Sequence, residues 1–357
     1  MSDKMITFYP GPSKVYPQVE RYLVDAYQSG ILSANHRSDV FMEMLKRTVE
    51  GVKIKLAVPS DYEVYFVSSA TECWEMISQS LVARSSFHIY NGAFGAKWME
   101  YAQKLSPGSH GVAFDLNYLP SGDLLDEAHE ADDVICITHN ETSNGTSLPD
   151  SFLRHLREKT DKLIAVDATS SMAGVELPWA DADVWYASVQ KCFGLPSGLG
   201  IMVVSPNAVA QAILFGENAH YNSLLFTRDN FVKFQTPYTP NTMAIYLLGR
   251  VMEQVSPIAE VASSTQERAD EFYRFLADQG YSPLVSAQEV RSKTVIAVKL
   301  EGMRLADIKL KAKLQNIMLG NGYGEWKYQS FRIANFPAID LEEIQLLKDF
   351  LASVTSE

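Results

Sequence analysis

The stretch Ala165-Val166-Asp167-Ala168-Thr169-Ser170-Ser171 decides the fold, read together with Asp183-Val184-Trp185-Tyr186-Ala187-Ser188-Val189-Gln190-Lys191 and Gly194-Leu195-Pro196-Ser197-Gly198-Leu199-Gly200. One apolar run ends on an acid, and a second ends on a lysine 24 residues later. Both runs are short, rich in Val, Ala, Trp and Tyr, and bounded by turn residues, as expected of strands buried on both faces of a sheet. Asp167 and Lys191 therefore emerge at carboxyl ends of strands, where open α/β sheets bind ligands. An acid and a lysine in such places also arise as a turn cap and a solvated loop residue, so the surrounding pattern has to decide.

Outward from this stretch the chain alternates strand signals with helical ones. Strands are expected at 63–67, 86–90, 134–138, 163–166, 184–187 and 201–204, and helices at 71–81, 96–105 and 150–158. Such alternation argues for a mainly parallel sheet with helices on both faces. Pro237-Tyr238-Thr239-Pro240-Asn241 punctuates the chain before a helix expected over 242–255. The remainder reads as helices at 266–279, 305–315 and 340–354, with strands at 294–300 and 330–334. We therefore expect an N-terminal arm and large domain over 1–250 and a small α+β domain over 251–357.

Composition bounds the function. The chain has 357 residues, 46% apolar and 21% charged, enough for a large core and two domains. Its net charge of −12 comes without a basic cluster that could track a phosphate backbone, which speaks against nucleic acid as a partner. No apolar run is long enough to cross a membrane, and Met1-Ser2-Asp3-Lys4-Met5 is too polar for a signal peptide. Three cysteines (Cys73, Cys136, Cys192) without CxxC spacing suit a reducing cytoplasm. No metal site is expected: His139 has no second His or Cys at ligand spacing.

Further motifs surround the acid–lysine pair. Ser68-Ser69-Ala70-Thr71-Glu72 follows a strand and opens a helix, a place where backbone N–H groups and the helix N-terminus favour an anion. Asn91-Gly92-Ala93-Phe94-Gly95 sets an aromatic between glycines, with Trp98 one turn on as its competitor. His139-Asn140-Glu141-Thr142-Ser143-Asn144-Gly145, Thr239-Pro240-Asn241-Thr242, Asn35-His36-Arg37-Ser38 and Phe331-Arg332-Ile333 complete the set. Arginine suits a carboxylate because its planar fork makes two parallel charge-assisted bonds. Gly194–Gly200 leads into a strand rather than a helix, so it is no dinucleotide fingerprint. Gly320-Asn321-Gly322-Tyr323-Gly324 reads as a flexible loop of the small domain near the site.

The whole constellation resembles the class V branch of the fold-type-I pyridoxal-phosphate enzymes, from Phe8 to the C-terminus. Ser188-Val189-Gln190-Lys191 matches the Ser-x-Gln-Lys element of that branch. The resemblance implies an aminotransferase that uses pyridoxal 5'-phosphate. Lys191 would form the Schiff base, with Asp167 holding the ring nitrogen protonated. It also implies cofactor contacts at Ala70, Thr71, Phe94 (stacked on the ring), Thr142 and Gln190. Asn241 and Thr242 would reach the cofactor phosphate of a partner subunit, so a homodimer with shared active sites is implied. His36, Arg37 and Lys327 would face the substrate, and Arg332 would clamp its α-carboxylate.

Within the branch, the Thr-Pro-Asn-Thr segment followed by Ile245-Tyr246 is most like the phosphoserine aminotransferases of serine biosynthesis. Gln190-Lys191-Cys192 and Leu195-Pro196-Ser197-Gly198-Leu199 instead look like the alanine/serine–glyoxylate aminotransferases. Glu325-Trp326-Lys327 replaces the His-Arg pair that helps bind the substrate phosphate in phosphoserine enzymes, leaving Lys327 and Arg37 as phosphate partners. A cysteine desulfurase would need a nucleophilic Cys on a C-terminal loop, and no Cys lies beyond 192. A non-catalytic cofactor-binding or scaffold protein would have no reason to keep Asp167, Lys191, Arg37 and Arg332 together.

Overall fold

The computed structural model describes residues 5–355. Seven strands form the main sheet in the spatial order Glu63–Val67, Gly200–Val204, Val184–Ser188, Leu163–Asp167, Asp132–Thr138, Ser85–Tyr90, His110–Ala113. All the pairings are parallel except those of Gly200–Val204, which runs antiparallel to both neighbours. The apolar runs take the inner places. Leu163–Asp167, Val184–Ser188 and Gly200–Val204 are buried at every residue, as a sheet covered on both faces requires. Trp185, Tyr186 and Phe87 fill the space between this sheet and its helices. Each expected strand of this region is present, and the helices Ala70–Ser80, Ala93–Leu105 and Asp150–Lys159 follow the expected positions within a few residues.

A second sheet has the order Ile6–Phe8, Ile317–Asn321, Ser330–Ala334, Val295–Lys299, Ser282–Pro283. It is richer in strands than the sequence suggests. Ile317–Asn321 takes in Gly320 and Asn321, so the expected loop is strand up to Asn321 and continues as a short 3-10 turn at Gly324–Tyr328. The N-terminal strand Ile6–Phe8 pairs parallel with Ile317–Leu319, carrying the start of the chain onto the C-terminal sheet. Helix Ile258–Asp278 begins eight residues before the expected start, because its first two turns are rich in Ala, Ser and Thr and weakly periodic. Helices Val19–Gln28, Asp39–Leu56, Pro206–Phe215 and Leu224–Phe231 complete the first part of the chain. We propose that the chain divides at about residue 251, with strand 6–8 seated on the far side of that division. No described helix is long and apolar enough to cross a membrane.

Candidate active site

The carboxyl ends of Leu163–Asp167 and Val184–Ser188, which are parallel neighbours, deliver Asp167 and the turn that bears Lys191 to one place. The Lys191 amine is buried and donates to the Pro10 carbonyl at 3.1 Å and to Thr142 Oγ1 at 3.2 Å. Burial, reinforced by the nearby Arg332 guanidinium, pulls its pKa down to about 8. The N-terminal arm is pressed against it. Gly11 sits at φ +145°, and a Cβ there would lie 3.1 Å from both Lys191 Cε and Nζ, so only glycine serves.

Asp167 has the opposite shift from the same cause. Burial pushes its carboxyl up to about 6, against the hydrogen bond that Thr169 N–H donates to Oδ1 at 2.8 Å. One polar atom nearby, Gln190 Oε1, is buried without a hydrogen-bond partner. Such orphans are costly unless a ligand or water meets them. Gln190 is anchored through its backbone, its carbonyl accepting from Ser13 N–H at 3.0 Å.

The helix Ala70–Ser80 opens beside this turn. Ser69 caps it by accepting from Glu72 N–H at 3.1 Å, and Glu72 returns to Ser68 N–H at 2.7 Å. Ala70 N–H donates to Ser188 Oγ at 3.1 Å, which ties the helix start to the strand that leads to Lys191. Thr71 is exposed at the first turn.

Phe94 lies in the first turn of Ala93–Leu105, with the Lys191 amine over its ring at 5.6 Å from the centroid. Its competitor Trp98 is buried, with edge contacts to His88 and Tyr186. Tyr323 stacks on Phe94 with centroids 4.9 Å apart and planes at 18°. Sequence reasoning missed this partner, because Tyr323 stands in a glycine-rich stretch that gives an aromatic no periodic context.

Glu141 was missed as well. It is buried, and its carboxylate accepts from Phe94 N–H, Gly95 N–H and Ser143 N–H at 3.2, 3.1 and 2.9 Å. A carboxylate on the N–H groups of a helix start is favourably placed. A Cβ at Gly92 would come within 2.3 Å of Glu141 Cγ, so that glycine admits the clamp. The signal was present, an acid in the Asn-Glu-Thr loop and glycine before an aromatic, but the two lie 49 residues apart.

Arg332 comes from the central strand of the second sheet and is buried. Its Nε donates to the Asn321 carbonyl at 2.7 Å and one Nη to the Thr142 carbonyl at 2.5 Å, and the guanidinium lies 5.5 Å from the Tyr323 ring centroid. Thr142 thus meets Lys191 through its hydroxyl and Arg332 through its carbonyl. Lys191, Asp167, Thr142, Phe94 and Arg332 form one neighbourhood.

The other expected residues lie elsewhere on this chain. Arg37 is exposed and bonds Gln235 Oε1 at 3.3 Å, with His36 half-buried beside it. Asn241 caps helix Thr242–Gln254 by accepting from Ala244 N–H at 3.1 Å, while its Nδ2 donates to the Gly198 carbonyl at 3.2 Å. Lys327 is exposed, its amine 5.3 Å from the Tyr328 ring centroid. His139 Nδ1 is 2.8 Å from Ser171 Oγ, and burial lowers its pKa to about 4, so it is a neutral hydrogen-bonded histidine.

The profile of the aminotransferase class-V family matches residues 9–325. A phosphoserine aminotransferase of Rhodococcus opacus (strain B4) is 28% identical over 362 residues, covering 97% of this chain and 94% of the relative. A solved phosphoserine aminotransferase from Cytophaga hutchinsonii is 33% identical, with a TM-score of 0.92 over 99% of both chains. An alanine–glyoxylate aminotransferase from Nostoc shares the fold, with a TM-score of 0.84 at 18% identity over 99% of this chain and 96% of its own.

Proposed function

The chain belongs to the class-V aminotransferase family, and from that premise we propose that it moves an amino group from glutamate to 3-phosphohydroxypyruvate, giving phosphoserine and 2-oxoglutarate. It is a pyridoxal-phosphate-dependent transaminase acting on amino acids and 2-oxo acids. The cofactor, when bound, supplies an aldehyde carbon to which an amine attaches and a pyridinium ring that takes up the electron pair left on Cα.

The residues fit that group. A buried carboxylate, Asp167, suits a ring N–H, because a charged donor would meet a charge that is otherwise costly to bury. The helix start at Ala70 and Thr71 suits the phosphate. Phe94 offers a ring face beneath Lys191, and the unpartnered Gln190 Oε1 leaves polar capacity for a ligand. We assign Lys191 as the amine that attaches the cofactor and, once released, moves the proton from the substrate Cα. A lysine with a pKa near 8 is neutral far more often near neutral pH than an ordinary one, as a general base requires. Arg332 would hold the substrate α-carboxylate, and Thr142 would orient both cations.

The observation that carries the phosphoserine reading is the end-to-end likeness to a solved phosphoserine aminotransferase at 33% identity. Arg37 and Lys327 would read the distal phosphate, and His36, Arg37, Asn241 and Thr242 would serve the site of a partner subunit in a cytoplasmic homodimer. A second reading, alanine/serine–glyoxylate transamination, draws support from Glu325, an exposed acid where the phosphoserine enzymes carry a basic pair. Following the cofactor's absorbance with phosphoserine, glutamate, alanine and serine as single donors separates them. Conversion by phosphoserine and glutamate supports the first reading; conversion by alanine or serine alone supports the second.

A further inference from the structure

We infer that His110, His129 and Asp132 form a binding site for one divalent transition-metal ion of the zinc type. One ligand atom from each lies within 4.8 Å of the others. His110 and Asp132 both stand at amino ends of their parallel strands, so this cluster lies at the opposite end of the sheet from Asp167 and Lys191.

The argument starts from Asp132. Its side chain is fully buried, and it accepts hydrogen bonds from Ser85 Oγ at 2.6 Å and His129 N–H at 2.7 Å, both neutral donors. Among the described residues, the basic side chain paired with its carboxylate is His110, with Nε2 at 3.6 Å. A buried carboxylate is stable when a cation answers it. Two imidazoles stand ready to share one. The rings of His110 and His129 are stacked with centroids 4.0 Å apart and planes at 24°, so the two imidazoles stand face to face. His110 Nδ1 is 3.4 Å from the Gly108 carbonyl, which directs Nε2 toward Asp132. Nε2 also lies 3.4 Å from the Glu127 carbonyl, a long contact that an ion would replace. Metal-bound histidines characteristically spend their other ring N–H on a carbonyl such as that of Gly108, and metal-bound carboxylates are themselves hydrogen-bonded.

Two imidazoles and a carboxylate with an open fourth position match zinc's preference for nitrogen and oxygen donors in a tetrahedron. Ligands around such an ion stand roughly 3.3 Å apart, so the cluster has to tighten by up to about 1.5 Å. His129 is exposed, and turning its side chain supplies that movement without disturbing the sheet. The ion would tie the edge strand His110–Ala113 to the segment that returns at Asp132, closing an edge that is otherwise paired on one side only.

Cobalt(II) titrated into the cofactor-loaded enzyme tests this through the metal's own absorption bands, with thermal denaturation as a second readout. The expected result is one tight equivalent per chain and a higher Tm. His110→Ala and His129→Ala should each weaken binding by more than the roughly 10–100-fold that loss of an outer-shell partner costs. Turnover should stay unchanged in both, which also shows that they fold. Absence of a tight equivalent in the wild type overturns the site, and so does wild-type affinity in either variant.

Discussion

Burial drives Asp167 and Lys191 in opposite directions, toward protonation in the acid and toward neutrality in the amine. The shift of Asp167 from 3.8 to about 6 has a consequence for stability. The folded state holds the proton more tightly than the unfolded one, so stability is lost as pH rises from the unfolded value through 6. Without cofactor, Asp167→Asn should therefore stabilise the protein above pH 6 by up to about 3 kcal/mol, and the gain should vanish toward pH 4. Urea denaturation of both apo proteins at several pH values checks this; a gain independent of pH would mean the carboxyl is not titrating as described. The same variant should lose most of its kcat, since a neutral amide cannot hold the ring nitrogen charged. Lys191→Ala should abolish turnover and the cofactor's attached-state absorbance while keeping the fold. At this scale the sequence was legible where chemistry demands a residue type. Lys191, Asp167, Thr142, Phe94 and Arg332 were named from motifs and meet in one place. The Pro10 carbonyl, Glu141 and Tyr323 were not: a backbone acceptor and a stacking partner leave no motif, and the two halves of the helix-start clamp, Gly92 and Glu141, lie 49 residues apart.

Elements were legible in proportion to their burial. Leu163–Asp167 and Val184–Ser188 are buried along their whole length and announce themselves as apolar runs. His110–Ala113 alternates half-buried and exposed at the sheet edge, and Ile6–Phe8 is three residues long, so neither carries a pattern strong enough to read. Ile317–Asn321 ends in Gly-Asn, which reads as a turn although the ladder continues to Asn321 opposite Phe331. The start of Ala93–Leu105 is the element on which the site depends most. Glu141 takes up two N–H groups there and a third, from Ser143, in its own loop, and leaving buried donors unmet costs about 1–3 kcal/mol. Glu141→Ala should lower unfolding stability by that amount and displace Phe94, raising the cofactor's dissociation constant. Glu141→Gln keeps an acceptor oxygen and should recover much of both. If Ala and Gln behave alike, the carboxylate is not holding the helix.

Over the whole molecule, one chain gathers a lysine, an acid, an aromatic and the arginine proposed to hold the substrate carboxylate, while Arg37, Asn241 and Lys327 lie exposed. If two copies pair about a two-fold axis, each supplies what the other's site lacks, as isologous contacts allow. Mixing two defective homodimers tests this directly. Lys191→Ala removes the amine, and Arg37→Ala removes the residue assigned to reach across. Dissociated together in mild denaturant and reassociated, they form hybrids in which one site carries both lesions and the other carries neither. At equal mixing about a quarter of all sites are then intact, and activity on phosphoserine should rise to about a quarter of wild type from two nearly inactive parents. If Arg37 served its own chain's site, every site in every hybrid would carry one lesion, and mixing would restore nothing. Sedimentation of the mixture, confirming dimers in both cases, separates failed assembly from unshared sites.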